Sequence, residues 1–149
     1  MNTNAPSHID LDNFWPYHAV VLADLVSRHT QKIAKAEAGL NISQWRVLAA
    51  VADKPGRTAA DVTNMTPMDK TIVSRAVSSL IEAGLIKKTP TKTDKRRLSL
   101  KTTRSGQKAY VKIAKRLNET MTTLHLDLDE NIEFIRLIKN LSTEMRLIK

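Results

Sequence analysis

The chain has 149 residues, 42% of them hydrophobic, with a formal net charge of +9 from 24 Lys and Arg against 15 Asp and Glu. That length makes one domain or one and a half, long enough to bury a core. With no cysteine, disulfides, thiolate metal sites, a cysteine nucleophile and a thiol redox switch are all excluded.

Two Trp, two Tyr, two Phe and four Gly favour helices over a β-rich fold. No apolar run approaches a membrane span, and the first 13 residues are polar with no secretion core. A soluble cytoplasmic protein with no membrane partner is therefore expected. A basic balance favours polyanions.

Residues 1–13 read as a loose arm. "LDNFWPY" opens a first helix, with Asp12 as a plausible cap and Pro16 in the first turn, where a missing N–H costs nothing. It runs to about Ala38 and stops at Gly39. "NISQWRVLAAVADKPG" gives a second helix, with Ser43 as N-cap and Pro55-Gly56 ending it. "TAADVTNM" gives a short third, Thr58 and Asp61 having the form of a capping box. "TPMD" reads as the same device at the head of a fourth helix, residues 67–83: Thr66 as cap, Pro67 in the first turn, Asp69 as the returning acid. Gly84 stops it.

Beyond Gly84 the period changes. "LIKKTPT" and "LSLKTT" flank "KTDKRR" and predict a two-stranded hairpin with a basic tip, with Leu98, Leu100 and Thr102 on one face. From Lys87 to Arg104 there are eight basic residues against one acid, Asp94. The charge is thus a patch. A fifth helix follows, with Tyr110, Ile113, Leu117, Met121 and Leu124 at helical spacing. In a sixth, Phe134, Ile138, Leu141, Met145 and Ile148 step as a heptad seam.

Two short capped helices joined by a tight turn suggest a helix-turn-helix, whose second helix enters the major groove. In the fourth helix, Val73, Val77 and Leu80 should pack inward, with Ala76 and Ile81 at the margins. Lys70, Thr71, Ser74, Arg75 and Ser78 share the opposite face. Hydroxyls can bond bases or phosphates, and Arg can grip guanine with two hydrogen bonds. Such a face is by itself usually a solvated one. The basic hairpin directly after it has the place of a wing whose tip can lie in the minor groove. The fold class expected is mainly α with a small two-stranded β-wing.

At these residues the chain resembles the MarR family of bacterial winged helix-turn-helix regulators. "GLNISQWRVLAAV" is similar to the family's second-helix entry. "MDKTIVSRAVSSLIEAGLIKK" resembles its recognition helix, and "TDKRRLSLKTTRSG" its wing. The resemblance covers about residues 14–147. It implies one domain over 14–149, with dimerisation helices at 14–38 and 104–148 and a DNA-binding part at 42–103. It also implies a homodimer on a pseudopalindromic operator, with the helix at 67–83 in the major groove and the wing, 87–101, in the minor groove. Ser74 and Arg75 match the recognition helix's Ser/Thr-Arg pair, and Asp94 and Arg96 match the wing's acid and its groove-reaching arginine. Lys92, Lys95 and Arg97 complete the basic tip. Lys95 stands where Arg is commoner, which keeps charge but loses bidentate geometry. Thr102 stands where Leu is usual. Phe14, Phe134, Ile138, Leu141 and Met145 are the expected dimer contacts.

Many proteins of this kind release DNA when a small, often aromatic acid binds. Here Trp15, Tyr17, His18, Trp45 and Arg46 are the candidates, Arg46 as carboxylate partner and the rings as stacking surfaces. Trp45 as a core anchor and Trp15 as dimer packing are the competing readings. His18 and His29 lie three turns apart with no further ligands nearby, so neither metal nor cofactor is expected. There is no phosphate loop, no His-Glu-x-x-His pattern and no paired carboxylates, so no enzyme is expected. The basic hairpin lacks aromatics, which disfavours membrane insertion and RNA stacking. The alternative function is a non-specific basic nucleic-acid-binding protein, for DNA or RNA, without effector control.

Overall fold

The computed structural model describes residues 5–148. Six α-helices and one antiparallel hairpin follow one another: α1 (Trp15–Ala38), α2 (Ile42–Asp53), α3 (Ala59–Met65), α4 (Lys70–Glu82), β1 (Ile86–Pro90), β2 (Leu98–Thr102), α5 (Arg104–Thr123) and α6 (Leu128–Leu147). This is the mainly helical architecture with a small β-wing that the sequence predicts. The chain divides into two compact units, Met1–Leu117 and Asn118–Lys149.

In the first unit the core is aliphatic. Val47, Leu48 and Val51 of α2, Val62 of α3, Val73, Val77 and Leu80 of α4, Ile86, Leu100 and Ile113 are all buried. Met68 joins them from the α3–α4 link, and Ile33 and Ala34 from the last turns of α1. Burying a side chain of this size is worth about 1.5–3 kcal/mol, so α2, α3 and α4 are held mainly by this shared core. Ala76, expected at the margin of α4, is buried with it, and Ile81 is partly buried. Gly39 ends α1 in the left-handed region (φ 67°) and donates back to Lys35 O at 2.9 Å.

Several helix starts differ from the sequence expectation. Asp12 does not cap α1. It lies in a short 3-10 turn, Leu11–Asn13, capped by Asp10, and Phe14 is the N-cap of α1. Asn41, not Ser43, caps α2: its side chain accepts from Gln44 N while Gln44 Oε1 accepts from Asn41 N, both at 2.9 Å. Asp69, not Thr66, caps α4 by accepting from Ile72 N at 2.8 Å. Thr66 instead closes α3, its hydroxyl donating to Val62 O at 2.8 Å. The helix expected over 67–83 is therefore 70–82. The Thr58–Asp61 capping box is present as expected.

The hairpin pairs Ile86 with Thr102 and Pro90 with Leu98. Thr102, despite its weak packing, does end a formed strand. Leu98, expected to share a face with Leu100, is exposed, while Ser99 and Leu100 are both buried. Leu100 has a neighbour on the strand's other edge. Leu100 N donates to Arg57 O (2.8 Å) and accepts at its carbonyl from Gly56 N (3.0 Å). The Ser99 hydroxyl is satisfied by Thr89, donating to its carbonyl at 3.1 Å.

At the wing's foot the chain folds tightly back. Thr103 N donates to Leu85 O at 3.0 Å, the Thr103 hydroxyl to Gly84 O at 2.6 Å, and Gly106 N to the Thr103 hydroxyl at 3.0 Å. Gly106 is buried there, and a Cβ on it would lie 1.8 Å from Leu85 O. Only a residue without a side chain fits.

In the second unit, Asp127 and Glu130 form a capping box at the start of α6. No residue of α6 is buried. Leu124 lies one residue beyond α5, and Ile148 caps α6 in an extended conformation, so neither continues the helical stripe assigned to it.

Candidate nucleic-acid interface

α4 is amphipathic by construction. Val73, Ala76, Val77 and Leu80 turn one stripe to the core, which forces Lys70, Thr71, Ser74, Arg75 and Ser78 outward; all five are exposed. Elsewhere in the chain, some hydroxyls bond a helix carbonyl one turn back, as Thr63 does to Ala59, Thr66 to Val62 and Thr143 to Lys139. Among the described residues, the side chains of Thr71, Ser74 and Ser78 make no such bond, and Lys70 and Arg75 have no ion pair. The face leaves its donors and acceptors open to solvent. Ser79, next to it, is already used, accepting from Gln44 Nε2 of α2 at 2.7 Å.

The wing adds charge. Lys87, Lys88, Lys92, Lys95, Arg96, Arg97, Lys101 and Arg104 are all exposed. Asp94 has a local task within the tip. Its carboxylate accepts from Arg96 N at 2.9 Å, its N–H donates to the Thr91 hydroxyl at 3.1 Å, and its carbonyl accepts from Arg97 N at 3.0 Å. The acid thus shapes the turn that presents Arg96, and its charge is partly spent on backbone donors.

Asp61, on the first turn of α3, has its pKa lowered from the ordinary carboxylate value. The Thr58 N–H, donating at 2.7 Å, is the main cause. The Thr58 hydroxyl acts in the same direction, burial opposes both, and the charges of Arg97 and Arg57 add smaller lowering contributions. Arg57 is itself committed, donating to Ala50 O at 2.6 Å and to the Asp53 carboxylate at 2.8 Å. It closes the end of α2.

The effector candidates fall into two groups. Trp45 is 8% exposed and stacks on Tyr110, with ring centroids 5.8 Å apart and planes 14° apart, so it packs in the core. Arg46 donates to the Ser27 hydroxyl of α1 at 3.1 Å. Trp45 and Arg46 do share a shallow depression with Ala49, Met65 and Pro67. Trp15, Tyr17 and His18 are exposed on the first turns of α1 and do not line it. Tyr17 and His18 meet edge to face, and His18 Nε2 lies 3.0 Å from Asp12 O. Phe14, Phe134, Ile138, Leu141 and Met145 are all exposed.

The sequence reading missed Gln44, which both closes the α2 capping box and ties α2 to α4. The pattern Asn-x-x-Gln at 41–44 signals the box, but nothing in it signals the bond to Ser79. It also left out Ile72, an apolar residue on the outer side of α4.

Among the described residues no helix is long and apolar enough to cross a membrane, and no group of three or more His, Asp or Glu could hold a metal.

Comparison with known proteins agrees with this geometry. Residues 38–97 match the family model of the MarR family. The chain is 26% identical over 113 residues to the HTH-type transcriptional regulator FarR of Neisseria gonorrhoeae, covering 76% of each chain. Its fold is similar to a MarR/EmrR family transcriptional regulator from Acinetobacter sp. ADP1, with a TM-score of 0.83 and 20% identity over 94% of this chain and 100% of that one. It is similar also to S. aureus MepR, solved as a DNA complex, with a TM-score of 0.75 and 17% identity over 90% of this chain and 98% of that one. The helix-turn-helix at α3–α4 and the basic wing behind it thus form a winged helix-turn-helix fold similar to that of MarR family transcriptional regulators, whose family model residues 38–97 match.

Proposed function

We propose that the protein is a sequence-specific, double-stranded-DNA-binding regulator that acts as a homodimer on a pseudopalindromic operator. In this reading α4 enters the major groove with Lys70, Thr71, Ser74, Arg75 and Ser78. The wing tip, with Lys92, Lys95, Arg96 and Arg97, lies in the neighbouring minor groove, and Asp94 holds the tip in shape. The observation that carries it is the outward face of α4, whose hydroxyls and cations are left without intramolecular partners beside a hairpin of concentrated positive charge.

Two-fold assembly is supported by apolar surface that the single chain leaves in water. α1 exposes Trp15 at 50% and Val20 at 70%, and Val21, Leu22, Leu25 and Val26 are exposed with them. α6 exposes Phe134, Ile138, Leu141 and Met145 at helical spacing. Runs of this size mark interfaces, and a two-fold dimer would match half-sites about one helical turn apart. Release by a small aromatic acid is part of the proposal, with Arg46 as its carboxylate partner at the depression beside Trp45. Catalysis is not part of it.

The test is duplex selection from a random DNA pool, with the bound fraction sequenced. A two-fold symmetric motif is expected. Tight binding at low salt that enriches no motif would instead establish a non-specific polyanion binder, and competition by single-stranded RNA would then separate RNA from DNA preference.

A further inference from the structure

Among the described residues, Ile72 is the one large apolar side chain of α4 that is exposed, at 40%. Its neighbour Val73 begins the stripe that fills the core. Consecutive residues of a helix are about 100° apart, so Ile72 stands at the edge of that stripe, between the positions of Ala76 and Arg75 one turn later. The backbone N–H of Ile72 is bound by the Asp69 carboxylate, which fixes it in the first turn of the helix. That is the part of a recognition helix whose side chains reach base edges.

Ile72 also walls a shallow groove with Arg75, Ala76 and Ser79 of α4 and Asn41, Ser43 and Gln44 from the start of α2. The hydrogen bond from Gln44 to Ser79 ties the two sides together, so the wall is in place before any ligand arrives. A β-branched residue adds nothing to helix propensity here. Its remaining exposed surface needs an apolar partner to be of use. The edges of base pairs in the major groove carry one apolar group, the C5-methyl of thymine.

We propose that Ile72 is a specificity-determining residue that receives a thymine methyl group, on a base pair next to the guanine gripped by Arg75. The inference rests on the DNA-reading function proposed above and adds to it a base identity that the polar face alone does not supply.

The test uses the full-length protein and the duplex enriched by selection. Each thymine is replaced singly by deoxyuridine, which keeps its pairing and lacks only the methyl. At one thymine per half-site, wild-type affinity should fall about 4-fold, and roughly 16-fold when both half-sites are changed, the worth of burying one methyl each time. Ile72→Ala should bind the thymine duplex more weakly and no longer distinguish it from the deoxyuridine one, while Ile72→Val should keep part of the discrimination. Both variants remain folded, because the side chain is outside the core and Ala is a better helix former.

An enriched motif with no methyl-sensitive thymine, or an Ile72→Ala variant that loses the same factor as wild type on methyl removal, overturns the inference and leaves DNA reading by α4 standing. Failure to enrich any motif overturns both.

Discussion

Replacing Gly106 by Ala sets two effects of opposite sign against each other. Helix propensity favours Ala by about 1 kcal/mol at most. Against that, the added Cβ would stand 1.8 Å from Leu85 O and 2.8 Å from Leu85 C. Both atoms are backbone, so no side chain can swing aside, and relief takes a displacement of about 1 Å or more. Overpacking of this kind costs about 1–3 kcal/mol. The displacement also strains the bonds from Thr103 to Leu85 O and Gly84 O, each worth about 0.5–1.5 kcal/mol net. The balance is a loss of roughly 2–3 kcal/mol, or about 4–12 °C in Tm for a chain of this size. Thermal and urea unfolding followed by far-UV circular dichroism, at matched protein concentration, would measure it, with exposed Ser105→Ala as a control within about 0.5 kcal/mol of wild type. A Gly106→Ala protein as stable as wild type, or more so, would refute the close approach of α5 to Leu85.

Other outcomes follow from the same geometry. Arg75→Ala should cost about 1–3 kcal/mol of operator binding and relax base preference at one position per half-site; an even loss across all sequences in a competition assay would make Arg75 a phosphate contact. Asp94→Ala removes a negative charge from the basic tip, yet it should weaken operator binding, because the turn presenting Arg96 loses its acceptor; tighter binding in a gel-shift titration would show that charge outweighs shape there. Thr58→Ala should destabilise the fold by about 0.5–2 kcal/mol through the lost cap of α3, read by urea unfolding. The Asp61 carboxyl titrates below its ordinary value in the folded state, so its contribution is fully present above that ordinary value and is lost as pH falls through the folded one. Asp61→Asn should therefore flatten the acid limb of stability below about pH 4, and an unchanged limb would remove Asp61 from the account. If about 6–10 phosphates are contacted by the dimer, affinity should fall roughly 10³–10⁵-fold between about 50 and 200 mM salt; a flat response would count against a DNA-binding role altogether.

Local signals carried most of the architecture. Thr58 and Asp61 cap α3 as their spacing predicts, Gly39 and Gly84 stand where α1 and α4 end, and Val73, Val77 and Leu80 face inward. The misplaced starts came from segments with two candidate caps. Asn41 and Ser43 are both capable, and the pairing with Gln44 decides for Asn41. At "TPMD" the proline drew the helix start forward, but Met68 is buried, and the link stays irregular until Asp69. Alternation failed at Leu98 because a strand needs something to pack on, and that residue adjoins the tip, where there is no core. Gly106 and the Gln44–Ser79 bond were not legible, since each depends on a partner about 20 and 35 residues away in sequence. The outward face of α4 and the basic tip were legible as exposed polar and cationic surface because charge and hydroxyl patterning survive without tertiary information. The split of the effector candidates was not, because Trp45 and Trp15 differ only in what surrounds them.

The two bonds that join Leu100 to Gly56 and Arg57 give β2 a partner along both sides at its midpoint. The hairpin is therefore moored at its base, like a mast stepped through a deck, while the hydrogen bonds of residues 91–97 above it stay within their own turn. Amide exchange should be slow at Leu100 and fast at the tip. Lengthening or shortening the tip would alter how far the cations extend along a duplex without disturbing the strands beneath. Reach and stability can thus change independently, and a relative of this protein could adapt to a wider or narrower groove by altering a handful of residues in one turn.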